Sequence, residues 1–140
     1  MRRIHPPGLH PTPGYSHVTV VPAGPTAYLS GQCPLDAEGR LVGGDDVLAQ
    51  TDQVVANALR ALAKAGAAPS DVVRAVVHVR TSEETTLGAV WRHLRASPLG
   101  PAFTGAATLL GTPALGYAGQ LVEVDLTAAL PAETPYGDGS

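Results

Sequence analysis

Apolar residues recur along the chain at two kinds of spacing, and each kind predicts a different element. Between positions 47 and 65 they recur at intervals of seven, four and three residues, which places Leu48, Val55, Leu59 and Leu62 on one face of an α-helix. An aspartate before this segment, at position 45 or 46, and Gly66 after it are residue types that begin and end helices. A second, shorter helix is predicted over 84–95, where Leu87, Trp91 and Leu94 stand at helical spacing.

Strands are predicted where β-branched residues cluster or alternate with polar ones, over 15–21, 26–30, 40–42, 72–80, 103–110 and 120–126. Alternation in segment 72–80 places Val73, Ala75, Val77 and Val79 on one face. In the last strand Glu123 and Asp125 share a face. The order β-β-(β)-α-β-α-β-β indicates an α+β fold, a mixed sheet with two helices on one face. The other face of the sheet must then also be covered, and association of several chains would bury it.

Proline and glycine divide the chain into three parts. The first fourteen residues contain four prolines and two glycines, which exclude a helix or a central strand, and are interpreted as an arm. Residues 15–130 form one predicted domain, without internal repeats or a linker. The segment 131–140 has a composition similar to the arm and is interpreted as a frayed tail.

The charge inventory excludes one class of partner. The chain has 140 residues with 9 Lys plus Arg and 12 Asp plus Glu, for a net charge of −3, which argues against a nucleic-acid binder. Charged residues make up 15% of the chain, against about 25% in an average soluble domain, as expected if part of the surface is hidden in an oligomer. No apolar stretch is long enough to span a membrane and no secretory signal is recognisable, so we expect a cytoplasmic protein without membrane contact.

Few residues suggest chemistry on their own. The histidines, His5, His10, His17, His78 and His93, form no metal-binding motif, so we interpret them as scattered and predict no metal site. Cys33, the single cysteine, excludes an internal disulfide and is either a nucleophile or a small buried apolar residue. The carboxylates of Glu123 and Asp125 are solvated, paired or functional. Phe103 is, on pattern alone, a core residue.

Several segments together resemble the RidA/YjgF family of reactive-intermediate deaminases. They are the turn Ser30-Gly31-Gln32-Cys33-Pro34, the helix with Gln50, Thr51, Gln53 and Asn57, the strand entry Asp71-Val72-Val73-Arg74 and the final Val122-Glu123-Val124-Asp125. Their order and spacing match over about residues 15–129. The resemblance implies a chorismate-mutase-like fold that assembles as a homotrimer, with small-molecule clefts between subunits. It also implies hydrolysis of imine or enamine intermediates to a keto product and ammonia, without a cofactor.

Carried over by position, the resemblance assigns catalytic roles to Tyr15, Ser30 and Glu123, with Glu123 positioning the attacking water. Substrate contacts are assigned to Gly31, Cys33, Trp91, Phe103 and Thr104. One position departs from the family pattern, because Phe103 stands where active deaminases have an arginine that binds the substrate carboxylate. A family asparagine also falls at Gly88.

An arginine offers a bidentate, charged hydrogen-bond fork that phenylalanine lacks. The pattern therefore favours an apolar or aromatic substrate contacted by Phe103, Tyr15 and Trp91 or Tyr117, in a dedicated biosynthetic pathway. Arg74, Arg80 or Arg92 could reach the cleft from elsewhere, but no spacing indicates it. The alternative is a non-catalytic ligand-binding or regulatory trimer. Ribonuclease activity is the weakest alternative, because the chain has no basic patch.

Overall fold

The structure is a computed structural model and describes residues 1–131. Two helices are present, α1 (Val47–Ala65) and α2 (Glu84–Ala96), where the apolar spacing predicts them. The Asp46 carboxylate accepts hydrogen bonds from the backbone N–H groups of Leu48 and Ala49, at 3.0 and 3.2 Å, and begins α1. Gly66 ends it in the left-handed conformation, with φ 85°.

Six strands form two sheets: β1 (Arg2–Ile4), β2 (Val18–Val20), β3 (Thr26–Tyr28), β4 (Val72–Val79), β5 (Ala106–Gly111) and β6 (Val122–Ala129). Strands β1 and β2 pair as an antiparallel ribbon. The main sheet has the order β3-β6-β4-β5, in which β4 and β5 are parallel and the other pairs are antiparallel. The predicted α+β architecture, a mixed sheet with two helices on one face, is confirmed.

The strand predictions need correction at five places, and the first is segment 26–30, which is reduced to β3. Segment 40–42 is not a strand, because Leu41 makes only an isolated bridge to Leu35. The strand predicted over 15–21 is reduced to β2, and β5 begins only at Ala106, because Gly100–Phe103 forms a 3₁₀ helix. The last strand begins two residues later and ends three residues later than predicted.

The two faces of the main sheet have different chemistry. A register shift between Val72 and Arg74 moves Val72, rather than Val73, onto the buried face of β4. The residues facing the helices are at most 1% exposed: Val72, Ala75, Val77, Val79, Val122, Val124, Leu126 and Ala128. The opposite face, which we call the open face, presents Arg74, Val76, His78, Glu123, Asp125 and Thr127.

The N-terminal segment lies against the domain. The Arg3 guanidinium donates a hydrogen bond to the Ser70 carbonyl at 3.0 Å, and the Arg95 guanidinium donates one to the Pro13 carbonyl at 3.1 Å. Gly14 crosses the Arg95 side chain so closely that a Cβ would overlap it, and its φ of 123° also requires glycine. The predicted arm therefore contains a strand and packs on α2. Within residues 1–131, neither helix is long and apolar enough to cross a membrane.

Candidate functional site

Three titratable side chains meet on the open face. Glu123 and Asp125 are two residues apart on β6, so they point to the same side. The antiparallel register places His78 of β4 directly opposite Glu123. The His78 Nε2 lies 2.9 Å from Asp125 Oδ2, which is a diagonal contact between neighbouring strands. The sequence places His78 on a strand but does not identify this carboxylate partner.

The Ser-Gly-Gln turn crosses directly over these carboxylates. Gln32 and Val124 exchange backbone hydrogen bonds of 2.8 and 3.1 Å, which continue the pairing with β6 beyond the end of β3. A Cβ at position 31 would overlap Glu123 Oε2 and lie 2.7 Å from Asp125 Oδ1. Glycine at position 31 lets the backbone approach the two carboxylates closely, and a larger residue there would displace their side chains.

Glu123 is held through one of its two oxygens. Its Oε1 accepts hydrogen bonds from the Cys33 thiol at 3.1 Å and from the Gln120 amide at 3.2 Å. Within residues 1–131, Oε2 accepts none. The Asn57 amide on α1 donates to the carbonyls of Cys33 and Leu35, at 2.8 and 2.9 Å, and fixes the turn. The carboxylate is thus oriented, with one oxygen left for water or a ligand.

Burial and the contact with Glu123 keep the Cys33 thiol protonated at neutral pH. Burial, the hydrogen bond to Glu123 and the negative charge of that carboxylate raise the pKa of the Cys33 thiol to about 11. A thiol with this pKa is neutral at pH 7, and the thiolate is the nucleophilic form. Of the two sequence-based interpretations of Cys33, the structure favours a small, partly buried residue that donates a hydrogen bond.

We expect the rate of Cys33 alkylation by iodoacetamide to rise with pH and to reach half of its maximum at a midpoint of about pH 11. Glu123→Gln should shift this midpoint to lower pH, because the amide carries no charge to oppose the thiolate. Mass spectrometry of timed reactions measures the rate. A midpoint near pH 8.5 in the natural protein, the value of an ordinary free cysteine, would contradict the described contact.

A second group of predicted residues lines a groove beside α2. The groove has a volume of about 480 Å³ and is lined by Pro13, Tyr15, Gly88, Trp91, Arg92, Ala107 and Leu109. The Tyr15 hydroxyl is 2.9 Å from His10 Nε2, and the Tyr15 ring meets the edge of Trp91 at a centroid distance of 6.2 Å. Aromatic and aliphatic side chains make up most of the lining, and Arg92 is the single cation in it. We call this surface the Tyr15 groove.

Phe103 does not line the groove, contrary to the expected substrate contact. It ends the 3₁₀ helix Gly100–Phe103 and is 0% exposed, with its ring against Trp91 at a centroid distance of 5.7 Å. The structure therefore agrees with the core-packing interpretation. The Thr104 hydroxyl donates to the Pro101 carbonyl at 2.8 Å, and its oxygen is left with acceptor capacity only.

The carboxylate cluster and the Tyr15 groove lie on opposite faces of the sheet. Glu123 is on the open face of β6, whereas Ala107 and Leu109 of the groove pair with Ala75 and Val77, whose side chains point toward the helices. Ser30 and Gly31 belong to the carboxylate side, and Tyr15 and Trp91 to the groove side. One chain does not bring the predicted site residues together.

Sequence reasoning assigned no site role to three residues of these two surfaces, His78, Gln120 and His10, and named Arg92 only as one of three arginines that could reach the cleft. Strand alternation predicts which face of β4 carries His78. It does not predict that Asp125 is its partner, because the register of β4 against β6 depends on tertiary structure. Arg92 is one residue after Trp91 on a helix, and only the packing of α2 against β5 shows that both line one groove.

The fold and the oriented carboxylate define a class: a small α+β protein with a Ser-Gly-Gln turn crossing an acidic sheet face. Residues 7–130 match the model of a family described as Endoribonuclease L-PSP, and the chain belongs to this family, also called YjgF/RidA. No curated protein matches the chain significantly.

Solved structures of similar proteins agree with this assignment. The chain is similar to YyfB from Yersinia pestis, a Rid-family protein of unknown function, at 37% identity and a TM-score of 0.84, covering 92% of this chain and 98% of that one. Rv2704 from Mycobacterium tuberculosis, of the YjgF/YER057c/UK114 family, is 27% identical with a TM-score of 0.59, covering 84% and 88%. NMB1025 from Neisseria meningitidis, of the YjgF family, is 27% identical with a TM-score of 0.59, covering 86% and 91%.

Proposed function

We propose that this protein hydrolyses reactive imine or enamine intermediates to a carbonyl compound and ammonia, with Glu123 as acid and base. The observation that carries the proposal is the state of the Glu123 carboxylate. Cys33 and Gln120 fix Oε1, while Oε2 has no hydrogen bond from residues 1–131 and lies beside the Gly31 backbone. A carboxylate oriented in this way can hold a water molecule and accept its proton.

The proposed reaction is R₂C=NH + H₂O → R₂C=O + NH₃, and it needs no oxidant or cofactor. The water oxygen forms a bond to the protonated imine carbon, while the C=N π pair moves onto nitrogen and Glu123 takes a proton from the water. Glu123 then returns the proton to nitrogen. The C–N bond then breaks with release of ammonia while the hydroxyl proton passes to Glu123 and the C=O bond forms. Glu123 gives this proton to solvent, which balances the proton taken up to form the protonated imine. An enamine enters the same sequence after protonation of its carbon.

We propose further that the complete cleft forms between subunits of a homotrimer. The Tyr15 groove of one subunit would then face the Glu123 carboxylate of the next, which joins two surfaces that a single chain keeps on opposite faces. Apolar side chains that remain exposed in the single chain support association: Val18 39%, Val20 38%, Val21 40% and Tyr28 81%.

The Tyr15 groove favours an aromatic or apolar substrate that carries at most one negative group. Tyr15 and Trp91 provide flat apolar surface, while Arg92 provides one guanidinium. Among residues 1–131 Arg92 has no ion-pair partner, so the groove keeps a positive charge although Phe103 replaces the family arginine. We therefore assign substrate recognition to Arg92 and no longer to Phe103.

The second candidate function is a non-catalytic ligand-binding or regulatory trimer. The specific observation in its favour is that Phe103, at the position of the family arginine, is 0% exposed and so offers a ligand nothing. The two functions differ in a measurable way, because a binding protein would retain a ligand without releasing ammonia.

The test uses imines generated in the assay by an amino-acid oxidase, with ammonia release followed against a control lacking the protein. Aromatic and small aliphatic imines are compared. We expect faster ammonia release with the natural protein, most clearly for the aromatic imine. Rates equal to the uncatalysed control for every imine would overturn the proposed reaction in favour of the binding function.

Mixing two inactive variants tests the position of the cleft. Glu123→Gln and Tyr15→Ala would each damage one half of every cleft. Random trimers refolded from an equal mixture should regain about one quarter of the natural activity, since each cleft needs one intact half from each variant. A mixture no more active than the mean of the two variants would contradict a cleft shared between subunits.

Arg92→Gln should raise KM for imines that carry a carboxylate by roughly 10–100-fold, because a charged hydrogen bond contributes about 1.5–3 kcal/mol. KM for a neutral imine of similar size should stay within about twofold. Arg2→Gln, at an exposed position of β1, is the matched control and should change neither value. Equal effects of Arg92→Gln on both substrates would show that Arg92 does not recognise the anionic group.

A further inference from the structure

We propose that His78, Glu123 and Asp125 form a binding site for one divalent transition-metal ion per chain. Each residue offers one ligand atom, and these atoms all lie within 4.8 Å of one another. The donors are an imidazole nitrogen and two carboxylate oxygens, which are ordinary ligands of zinc and related ions. The assigned family reaction uses no metal, so this site is an addition to it.

The geometry is already close to that of a bound ion. Ligand atoms at the corners of a tetrahedron with bonds of 2.0–2.2 Å lie about 3.4 Å apart. His78 Nε2 and Asp125 Oδ2 are 2.9 Å apart, and a Glu123 carboxylate oxygen lies within 4.8 Å of the ligand atoms of both residues. The three residues stand on two paired strands in the middle of the sheet, so the backbone positions are fixed.

The charge of the cluster also favours a cation. Two carboxylates share one side of β6, and across residues 1–131 no lysine or arginine forms an ion pair with either of them. The nearest basic group is the imidazole of His78, which ligates metals in its neutral form. The side chains of His78 and Asp125 are 25% and 43% exposed, so an ion can enter from solvent.

The donor set selects the class of metal. Magnesium and calcium prefer sites made of oxygen atoms alone, and structural zinc sites are usually rich in cysteine. One imidazole with two carboxylates, and room for water, matches the open type of site that holds Zn²⁺ or Mn²⁺. Zn²⁺ is therefore the appropriate probe.

The test measures Zn²⁺ binding by isothermal titration calorimetry on the full chain after removal of metals with EDTA. We expect one ion per chain. His78→Ala and Asp125→Asn should each weaken binding by at least about tenfold, and both variants should keep the metal-free melting temperature of the natural protein. Absence of Zn²⁺ binding to the natural protein, or unchanged affinity in His78→Ala, would overturn the proposal.

Two control variants separate this site from other histidines. His93 lies 2.6 Å from Asp52 and offers a similar histidine–carboxylate pair without a third ligand, so His93→Ala should leave the affinity unchanged. His10 and His17, whose rings are 4.7 Å apart, are a competing surface pair. Loss of binding in a His10→Ala/His17→Ala double variant would place the ion there and overturn the proposal.

Activity gives an independent second measurement. Glu123 cannot ligate Zn²⁺ and position water for hydrolysis freely at the same time, so Zn²⁺ should slow imine hydrolysis in the natural protein and much less in His78→Ala. Zn²⁺ binding without any hydrolytic activity would refute the proposed function and leave the metal site standing. Hydrolysis without Zn²⁺ binding would do the reverse.

Discussion

Phe103→Arg should destabilise the protein by about 3–5 kcal/mol, because it places a guanidinium in the apolar core. The Phe103 ring is 0% exposed and packs edge-on against Trp91. The core cluster around it consists of apolar side chains, so the new charge would have no carboxylate to pair with. Small domains have a free energy of unfolding of about 5–15 kcal/mol, so the variant should lose a large part of its stability. Urea unfolding followed by tryptophan fluorescence measures the loss.

The matched control is Phe103→Leu, which keeps an apolar side chain and should cost no more than about 1.5 kcal/mol. A Phe103→Arg variant as stable as the natural protein would show that position 103 reaches solvent and is free to contact a ligand. Because Phe103 is buried against Trp91, we expect an arginine at this position to damage folding and not to provide carboxylate recognition.

Glu123→Gln should lower kcat for imine hydrolysis by roughly 10²–10⁴-fold, the range expected for loss of a general acid–base group. The amide has nearly the same shape and can still accept the hydrogen bond from Cys33, but it cannot take a proton from water. The melting temperature should therefore change little while kcat falls strongly. Steady-state measurement of ammonia release, with a melting curve for each variant, separates the two effects.

Glu38→Gln is the control for this substitution. Glu38 is exposed on a turn and forms a surface ion pair with Arg40 at 3.3 Å, a kind of contact that contributes little. Its loss should leave kcat unchanged. A decrease of less than about threefold for Glu123→Gln would mean that another group handles the proton, and the proposed mechanism would be wrong.

Local patterns were sufficient to predict both helices and the central strands. Helix α1 shows why: its apolar spacing, the Asp46 cap and the Gly66 terminator all lie within the helix or next to it, and the structure has all three. The start of β5 was missed for the opposite reason. Pro101 and the burial of Phe103 shape the 3₁₀ helix Gly100–Phe103, and that burial depends on Trp91 of α2. No alternation within residues 103–110 carries this information.

The candidate site was predictable only in part, for a related reason. Glu123 and Asp125 are on one side of their strand by alternation alone, and the resemblance to a known family identified Gly31 and Tyr15. The pairing of His78 with Asp125 depends on strand register, and the arginine of the Tyr15 groove depends on helix packing. Both are relations between distant parts of the chain, which local patterns do not determine.

If the proposed trimer forms the cleft, the placement of the two surfaces on opposite faces of one sheet should make activity depend on protein concentration. In the proposed trimer the number of complete clefts equals the number of subunit contacts, so a dissociated chain keeps its fold and has no cleft. Specific activity should then fall on dilution below the dissociation constant of the trimer, even though the chain remains folded. The protein concentration would thus set both the number of chains and the fraction of chains that are assembled into active trimers.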